Sequence, residues 1–269
     1  MKTMIERGKA VRKSPLINFN MVELAFRMMK IPGVARRHSW SRGDLNNMRF
    51  LPVNEEIEAP EGFPLPIELL YRLIDEASYR VVIDYCFCRR GCDCKTYPVS
   101  TGCLVLGAGA KQIATSVRRE VGVEEARRHT DDAVATGLVP FIGKIRLDNL
   151  LYGIKDHGRF LTVCFCCECC CVSRFTQHIP IADLEPAYTR LPGVEVIVSD
   201  ECVGCGECVE GCFMNAISVE GGKAVIGEYC RACGRCATVC PSEALEVRLT
   251  DPAFLEEAYR QISGYVNIK

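Results

Sequence analysis

Two segments of the chain repeat one pattern of cysteines. "ECVGCGECVEGCFMNAISV" begins at Glu201 and "YCRACGRCATVCPSEALEV" at Tyr229, twenty-eight positions later. Cys202, Cys205, Cys208 and Cys212 align with Cys230, Cys233, Cys236 and Cys240, and Ala216, Ile217 and Val219 align with Ala244, Leu245 and Val247. Each half has the spacing C-x2-C-x2-C-x3-C, in which three closely spaced thiolates grip one cubane and the fourth reaches across to the other. Eight sulfurs then serve two [4Fe-4S] clusters, whose chemistry is one-electron transfer at potentials set by hydrogen bonds to sulfur, burial and nearby charge. Two zinc sites fit this pattern poorly, because zinc sites pair two C-x2-C hairpins and do not call for a third thiol at the same short spacing.

The repeat closely resembles the bacterial-type two-cluster ferredoxins over roughly Val194 to Leu249, about a fifth of the chain. That resemblance implies a pseudo-twofold βαβ module with cluster I on Cys202, Cys205, Cys208 and Cys240, and cluster II on Cys230, Cys233, Cys236 and Cys212. One position departs from the pattern: the proline that follows the fourth cysteine is present as Pro241 but replaced by Phe213 in the first half. The change bears on packing beside cluster II more than on ligation, since Phe213 still shields sulfur from water.

Eleven thiols remain, and all are candidate metal ligands: Cys86, Cys88, Cys92, Cys94 and Cys103, then Cys164, Cys166, Cys167, Cys169, Cys170 and Cys171 within "CFCCECCC". Both groups open with "CFC" after a β-rich run. In extended chain alternate side chains share a face, so Cys86 with Cys88, and Cys164 with Cys166, would each pinch one centre, while Cys166 and Cys167 point apart. Eleven thiols fill two four-ligand sites with three left over, or wrap one larger non-cubane cluster. Two runs placed side by side would let both groups reach one centre, so the expectation is a single shared iron–sulfur site. Zinc is the alternative, since it tolerates varied cysteine spacing. Arg89, Arg90 and Lys95 stand where they would offset the negative charge of a thiolate-bound cluster, or hold an anionic substrate. Paired cysteines beside iron–sulfur domains resemble the catalytic cysteine-rich subunit of heterodisulfide reductases, although that spacing is not reproduced. The layout as a whole is similar to cysteine-rich 4Fe-4S proteins of anaerobes.

Three other side chains invite chemistry. His157 and His178 flank the second cysteine group in polar, turn-like contexts where a solvated histidine is the commoner outcome. Glu168 sits inside "CCECCC", where a carboxylate among thiolates must meet a cation, take up a proton or bind iron, and it is a candidate for proton delivery. "GAGAK" from Gly107 to Lys111 lacks the second glycine and the Lys-Ser/Thr ending of a phosphate loop.

The elements that must position these groups follow from periodicity. "MVELAFRMMK" after Asn20 reads as a capped helix, with Glu23 as the capping-box acid and Ile31-Pro32-Gly33 as its stop, packed on the protein's own body. Asn54 to Pro66 is an acidic, proline-rich connector. "IELLYRLIDEA" has the 3 and 4 spacing of one helical face and "YRVVID" switches to strand character. Helical patterns return over Ala110 to Glu120 and Val123 to Thr136, with Gly137 as a C-terminal cap. "LVPFIGKIRL" and "RFLTV" are β-rich and deliver the chain to Cys164. Helices followed by a hairpin also fit a winged helix, but no concentrated basic recognition helix is present, so nucleic acid is not an expected partner.

The sequence thus predicts an α+β protein in four parts: a basic arm with a helix over 1–60, a mixed α/β cysteine-rich domain over 61–190, the ferredoxin module over 191–250 and a helical tail over 251–269. Its 269 residues, 48% hydrophobic and 25% charged, suffice for a real core, so nineteen cysteines are not needed as disulfide staples. Residues 1–49 hold eleven Lys or Arg, among them Arg7, Lys9, Arg12, Lys13, Arg36 and Arg37, against Glu6, Glu23 and Asp44, although net charge is −1 overall. No apolar h-region or membrane-length run is visible, so a reducing cytoplasmic compartment is expected, without stable membrane attachment. The expected function is electron transfer to or from a redox partner protein, by two ferredoxin-type clusters and at least one more iron–sulfur cluster in the middle domain. The alternatives are an oxidoreductase whose middle-domain cluster reduces a substrate, and a zinc-structured adaptor carrying the ferredoxin module. Donor, acceptor, potentials and oligomeric state are not encoded in any motif.

Overall fold

The computed structural model describes residues 19–31, 33–53, 57 and 65–269. Arg7, Lys9, Arg12, Lys13 and Pro32, with most of the connector between Asn54 and Pro66, lie outside the described residues. The protein is α+β, as the periodicities predict. In chain order the helix α1 (Phe19–Met28) and a turn of helix α2 (Val34–Arg37) precede strand β1 (Asn47–Phe50). Helix α3 (Pro66–Glu76), strand β2 (Arg80–Ile83), a helical turn α4 (Phe87–Gly91), and strands β3 (Leu104–Leu106) and β4 (Arg118–Glu120) follow. Next come helix α5 (Val123–Ala135), strand β5 (Val139–Lys144), helix α6 (Arg146–Tyr152), strand β6 (Leu161–Cys166) and a short helix α7 (Ile181–Leu184). The last part holds strand β7 (Val194–Val198), turn α8 (Glu207–Glu210), hairpin β8 (Ile217–Glu220) and β9 (Lys223–Ile226), turn α9 (Arg235–Thr238), strand β10 (Leu245–Leu249) and helix α10 (Phe254–Ser263).

Six strands form one antiparallel sheet in the order β1-β5-β6-β3-β2-β4. Helix α3 forms where the 3 and 4 spacing places Leu69, Leu70, Leu73 and Ile74 on one face, and all four are buried. Pro66 sits in its first turn, where its missing N–H costs nothing, and Glu68 accepts from the Leu65 N–H at 2.9 Å. These leucines share a core with Ala126 and Ala133 of α5, with Val163 and Phe165 of β6, and with Phe254, Ala258 and Ile262 of α10. On the opposite face of the sheet Phe50, Val139 and Phe141 pack with Phe26, Met29 and Phe175. The C-terminal helix therefore completes the core of the six-stranded sheet. Arg49, fully buried, ties β1 to it by donating to Gln261 Oε1 at 3.2 Å.

Several local expectations change. Helix α1 already includes Asn20, so Asn20 is not its cap, and Glu23 pairs instead with Arg27 at 2.7 Å. Phe26 and Met29 are buried against the body. The span Ala110 to Glu120 is not a helix. Ala108–Gln112 makes a 3-10 turn, and Arg118–Glu120 becomes edge strand β4, paired with Val81, Val82 and Ile83. The reason lies in the glycines: Gly107 has φ +94, and a Cβ there or on Gly109 would press on the Arg159 carbonyl. "GAGAK" thus lets two chain segments approach, and the turn it forces starts the chain in the wrong direction for a helix. Helix α5 does form, and Gly137 closes it with φ +83 and its N–H on the Val134 carbonyl at 2.8 Å. Among the described residues no helix is long and apolar enough to cross a membrane.

His129 on α5 stacks edge-on to Phe165, and its Nε2–H donates to the Gly102 carbonyl at 2.9 Å. Burial holds its pKa below the ordinary 6.5. A depressed folded pKa makes this histidine's contribution complete above pH 6.5 and lost progressively as pH falls, because the unfolded chain takes up the proton first. Chemical denaturation of the anaerobic protein from pH 8 to pH 5.5 is expected to show a fall in stability that His129→Gln reduces, the amide keeping a donor toward Gly102. An unchanged pH slope in the variant would refute this origin.

Candidate metal centres

In the ferredoxin-like segment β7 pairs antiparallel with β10, and β8 pairs with β9. The twenty-eight-residue repeat is also a repeat of backbone shape. Positive φ occurs at Gly204 and Ala232, at Gly206 and Gly234, and at Asn215 and Glu243, three pairs each separated by twenty-eight positions. Left-handed residues bend each loop so that its three closely spaced thiols converge, and Gly206 and Gly234 then start α8 and α9. At Gly204 a Cβ would lie 2.4 Å from the Gly222 carbonyl oxygen, so the hairpin closes directly over the first loop.

Backbone N–H groups point at the sulfurs. Ala216 donates to Cys212 Sγ at 3.2 Å and its counterpart Ala244 to Cys240 Sγ at 3.3 Å, while Ala224 donates to Cys202 Sγ at 3.3 Å and Ala232 to Cys230 Sγ at 3.4 Å. Such bonds favour the thiolate and tune a bound cluster's potential. Cys202, Cys205, Cys208 and Cys240 line one cavity, so the fourth cysteine of the second half comes to the first loop. Cys212 in turn lies in the electrostatic surroundings of Cys233 and Cys236, together with Cys230. Four thiols lining one cavity, with N–H donors aimed at sulfur, fit a cubane at the first place, and the second set offers four neighbouring thiols with N–H donors on Cys212 and Cys230. The two cradles differ in exposure: Cys205 is exposed, whereas Phe213 is fully buried beside Cys212, Cys230 and Cys233 and packs on Phe50 with ring centroids 5.1 Å apart. Phe213 thus covers one side of the second cradle, whose Cys212, Cys230 and Cys233 stay partly exposed.

The eleven other thiols divide between the two sides of β6. Cys164 pairs with Phe141 and Cys166 with Val139 in the ladder, which puts both thiols on the Phe141 face. Cys103 precedes β3, directly across from Cys164, and their Sγ atoms are 3.6 Å apart. Cys86, Cys88, Cys103, Cys164, Cys166 and Cys171 line a cavity completed by apolar side chains, by Arg89, and by Asp148 and Tyr152 of α6. Cys166 and Cys171 approach to 3.1 Å, and Ser173 Oγ donates to Cys171 Sγ at 3.1 Å. Hydrogen bonding and burial push the Cys88, Cys164 and Cys166 thiols well above the ordinary range. Two of their partners move the other way: hydrogen bonding to Cys88 lowers Cys86 to about 6, with Arg89 adding to it, and hydrogen bonding to Cys166 lowers Cys171. Thiolates in this pocket gain from a positive centre, which Arg89 supplies in part and the irons of a cluster would supply further. The donor set fits such a group.

On the other side, Cys94, Cys167, Cys169 and Cys170 form a compact group with all four Sγ atoms within 4.8 Å of one another. Cys166 and Cys167 do point apart, although Cys167 also reaches the cavity wall. Cys92 is left over, its Sγ 3.8 Å from the Cys170 carbonyl. Both sequence groups therefore meet, but at two places instead of the one expected. Two premises also change. Cys86 and Cys88 are not in a strand, since Cys86 caps the helical turn α4 that holds Cys88. Nor do β2 and β6 lie side by side, because β3 runs between them, with Cys103 just before it.

Among the cations, Arg89 is fully buried and donates to the carbonyls of Phe165 at 2.6 Å, Pro98 at 3.0 Å and Thr101. It lies in the electrostatic field of Cys86, Cys167, Cys166 and Cys103, and staples α4 to the end of β6. Arg90 stacks over Tyr85, and Lys95 pairs with Asp93 at 2.9 Å on the surface. Glu168 does meet a cation: Arg235 Nη2 stands 3.5 Å from its carboxylate and donates to Tyr97 OH at 2.9 Å, and Tyr97 OH donates to Glu168 at 3.0 Å. Burial, then the Glu168 charge, push the Tyr97 phenol up to about 12, so it remains a donor. His178 lies near Lys30, Arg27 and Glu23. Sequence reasoning missed Arg235, Tyr97 and Asp148. Arg235 had a signal, because the repeat places the acid Glu207 opposite it; Asp148 had none.

The family model of a 4Fe-4S dicluster domain matches residues 201–244. No curated protein matches the chain. With that domain and the thiols that line its first cradle, the chain is an iron–sulfur protein.

Cys205→Ser is expected to perturb one ferredoxin-type EPR signal and Cys233→Ser the other, each leaving its companion largely in place because the unmutated loop keeps its own three thiols. Full iron content and unchanged spectra in both variants would reject the crossed ligand sets.

Proposed function

We propose that the protein carries electrons, with [4Fe-4S] clusters on the crossed sets Cys202, Cys205, Cys208, Cys240 and Cys230, Cys233, Cys236, Cys212, and a further iron–sulfur cluster in the six-thiol cavity. The observation that carries this reading is the first cradle, where thiols from both halves of the repeat line one cavity. Bound there, the clusters supply reversible one-electron chemistry.

The chain's own residues give that chemistry a direction. The exposed Cys205 loop, with Val203 70% exposed beside it, is a face on which a redox partner protein can dock. The second loop turns inward: Tyr229 OH donates to the Ile179 carbonyl at 3.0 Å and Arg190 to the Cys230 carbonyl at 2.9 Å. Phe213 packs in one apolar cluster with Cys166 and Cys171 of the cavity and with Cys212, Cys230 and Cys233. Redox groups so placed communicate through packed protein and not through water. Nineteen thiols that must stay reduced suit a cytoplasmic, anaerobic setting.

Asp148 favours a second reading, a reductase. Its side chain lines the cavity, its Oδ2 has no hydrogen-bond partner, and burial pushes its carboxyl up to about 7. A substrate in the cavity would find an acid there, and a spectrum that changes with added substrate would mark an enzyme.

Iron and sulfide determination on anaerobically purified protein is expected to exceed the roughly eight irons that two cubanes account for. Cys88→Ser and Cys166→Ser are each expected to abolish the same additional EPR signal, with the double variant adding little. About eight irons in the wild type, or separate additive losses of two signals, would rule out a cluster in the cavity.

A further inference from the structure

We propose that Cys94, Cys167, Cys169 and Cys170 hold a single tetrahedral ion, zinc or sulfide-free iron, and not an iron–sulfur cluster. The size of the group carries the inference. Four sulfurs at about 2.3 Å from one ion stand about 3.8 Å from each other. Here Cys94 and Cys169 are 3.8 Å apart, Cys169 and Cys170 3.6 Å, and all four Sγ atoms lie within 4.8 Å of one another. A cubane holds each thiolate on a different iron and so spreads its four sulfurs around a larger body. Among the described residues neither ferredoxin cradle draws its sulfurs into such a group, and the first surrounds a void instead. The chemistry of four thiols in a tetrahedron selects zinc or mononuclear iron.

The surroundings suit a structural ion. Four thiols complete a tetrahedral ion's coordination, and two of them, Cys167 and Cys170, are buried. The Tyr97 N–H donates to Cys94 Sγ at 3.4 Å, and Arg174 donates to the Cys169 carbonyl, which steadies both ends of the ligand loop. Closing Cys94 onto Cys167 and Cys169 holds Tyr97 and Glu168 at the positions where they meet Arg235, between Cys233 and Cys236 of the second cradle. The ion thereby fastens the ferredoxin module to the six-stranded domain. This inference stands whether or not the cavity carries a cluster.

Anaerobically purified protein is to be assayed for zinc, iron and acid-labile sulfide beside a Cys94→Ser/Cys169→Ser double variant. The wild type is expected to carry about one zinc, or about one iron in excess of sulfide, per chain. The variant is expected to lose that equivalent while sulfide and the ferredoxin EPR signals persist, with the second of these signals shifted. Loss of several irons together with matching sulfide would overturn the proposal. Should the variant fail to fold, X-ray absorption on the wild type decides: a shell of four sulfurs at about 2.3 Å with no neighbouring metal is expected at zinc or at the excess iron. Absence of both zinc and sulfide-free iron would overturn it. Missing ferredoxin signals in wild-type protein would count against the electron-transfer reading alone, since the zinc count is independent of them.

Discussion

Strand β6 lies between β5 and β3 near the middle of the sheet, and its pleat sends Cys164 and Cys166 to the side of Phe141 and Val139. The next residue, Cys167, comes out on the other side, among Cys94, Cys169 and Cys170. A two-residue period therefore sorts adjacent thiols into different centres, as strand geometry requires. Ten of the eleven thiols follow that division, with Cys92 left over and Cys167 touching both groups. Cys103 can serve only the cavity because β3 pairs with β6 in the register that sets it opposite Cys164. A slip of one residue in that register would exchange the faces and dissolve both assemblies.

So many thiols bring an electrostatic cost that the fold meets with few fixed charges. Of the three cations near the first cysteine group only Arg89 is interior, and its guanidinium is spent on three carbonyls at the end of β6 and the loop after α4. It positions the cavity wall while its charge stays close to Cys86, Cys166 and Cys167. Arg235 does the equivalent at the seam, where Glu168 and Tyr97 accept or share its donors. In a low-dielectric interior two such placed cations count for more than a basic surface would. The remaining compensation falls to backbone N–H groups in the ferredoxin-like loops and to whatever metal the thiols hold.

The parts legible in the sequence are those whose geometry is local. The C-x2-C-x2-C-x3-C repeat fixes its own loop shape, down to left-handed residues at matching positions, so its assembly could be anticipated from spacing. Helix α3, helix α5 with its Gly137 cap, and strands β5 and β6 were equally visible as periodic runs. The cysteine-rich domain was not legible in the same way, because its ligands are joined across a sheet whose strand order no short window reveals. The helical turn at Cys88 interrupts an alternation that "CFC" suggests, and the intervention of β3 between β2 and β6 depends on long-range pairing. Ala110 to Glu120 misleads for a different reason: the glycines before it are needed for close approach to Arg159, and that contact outweighs helical periodicity.

Departures from the internal repeat follow from burial. A repeat in solution has no reason to make its halves different, yet the first loop exposes Cys205 to solvent while its counterpart Cys233 in the second loop is only partly exposed. Phe213 takes the position that Pro241 holds in the other half, and it belongs to the apolar cluster that includes Cys166, Cys171 and Phe50. A proline there would offer no aromatic ring to bridge from Cys212 to Phe50. Glu207 remains on the side of the first loop, while its counterpart Arg235 reaches the carboxylate of the neighbouring domain. An acid at 235 would face Glu168 across a seam where both side chains are mostly buried, and like charges there would repel. The ferredoxin-like half that docks has thus been altered at the two positions where docking makes demands, one apolar and one charged, while the cysteine spacing that builds its cradle is left unchanged.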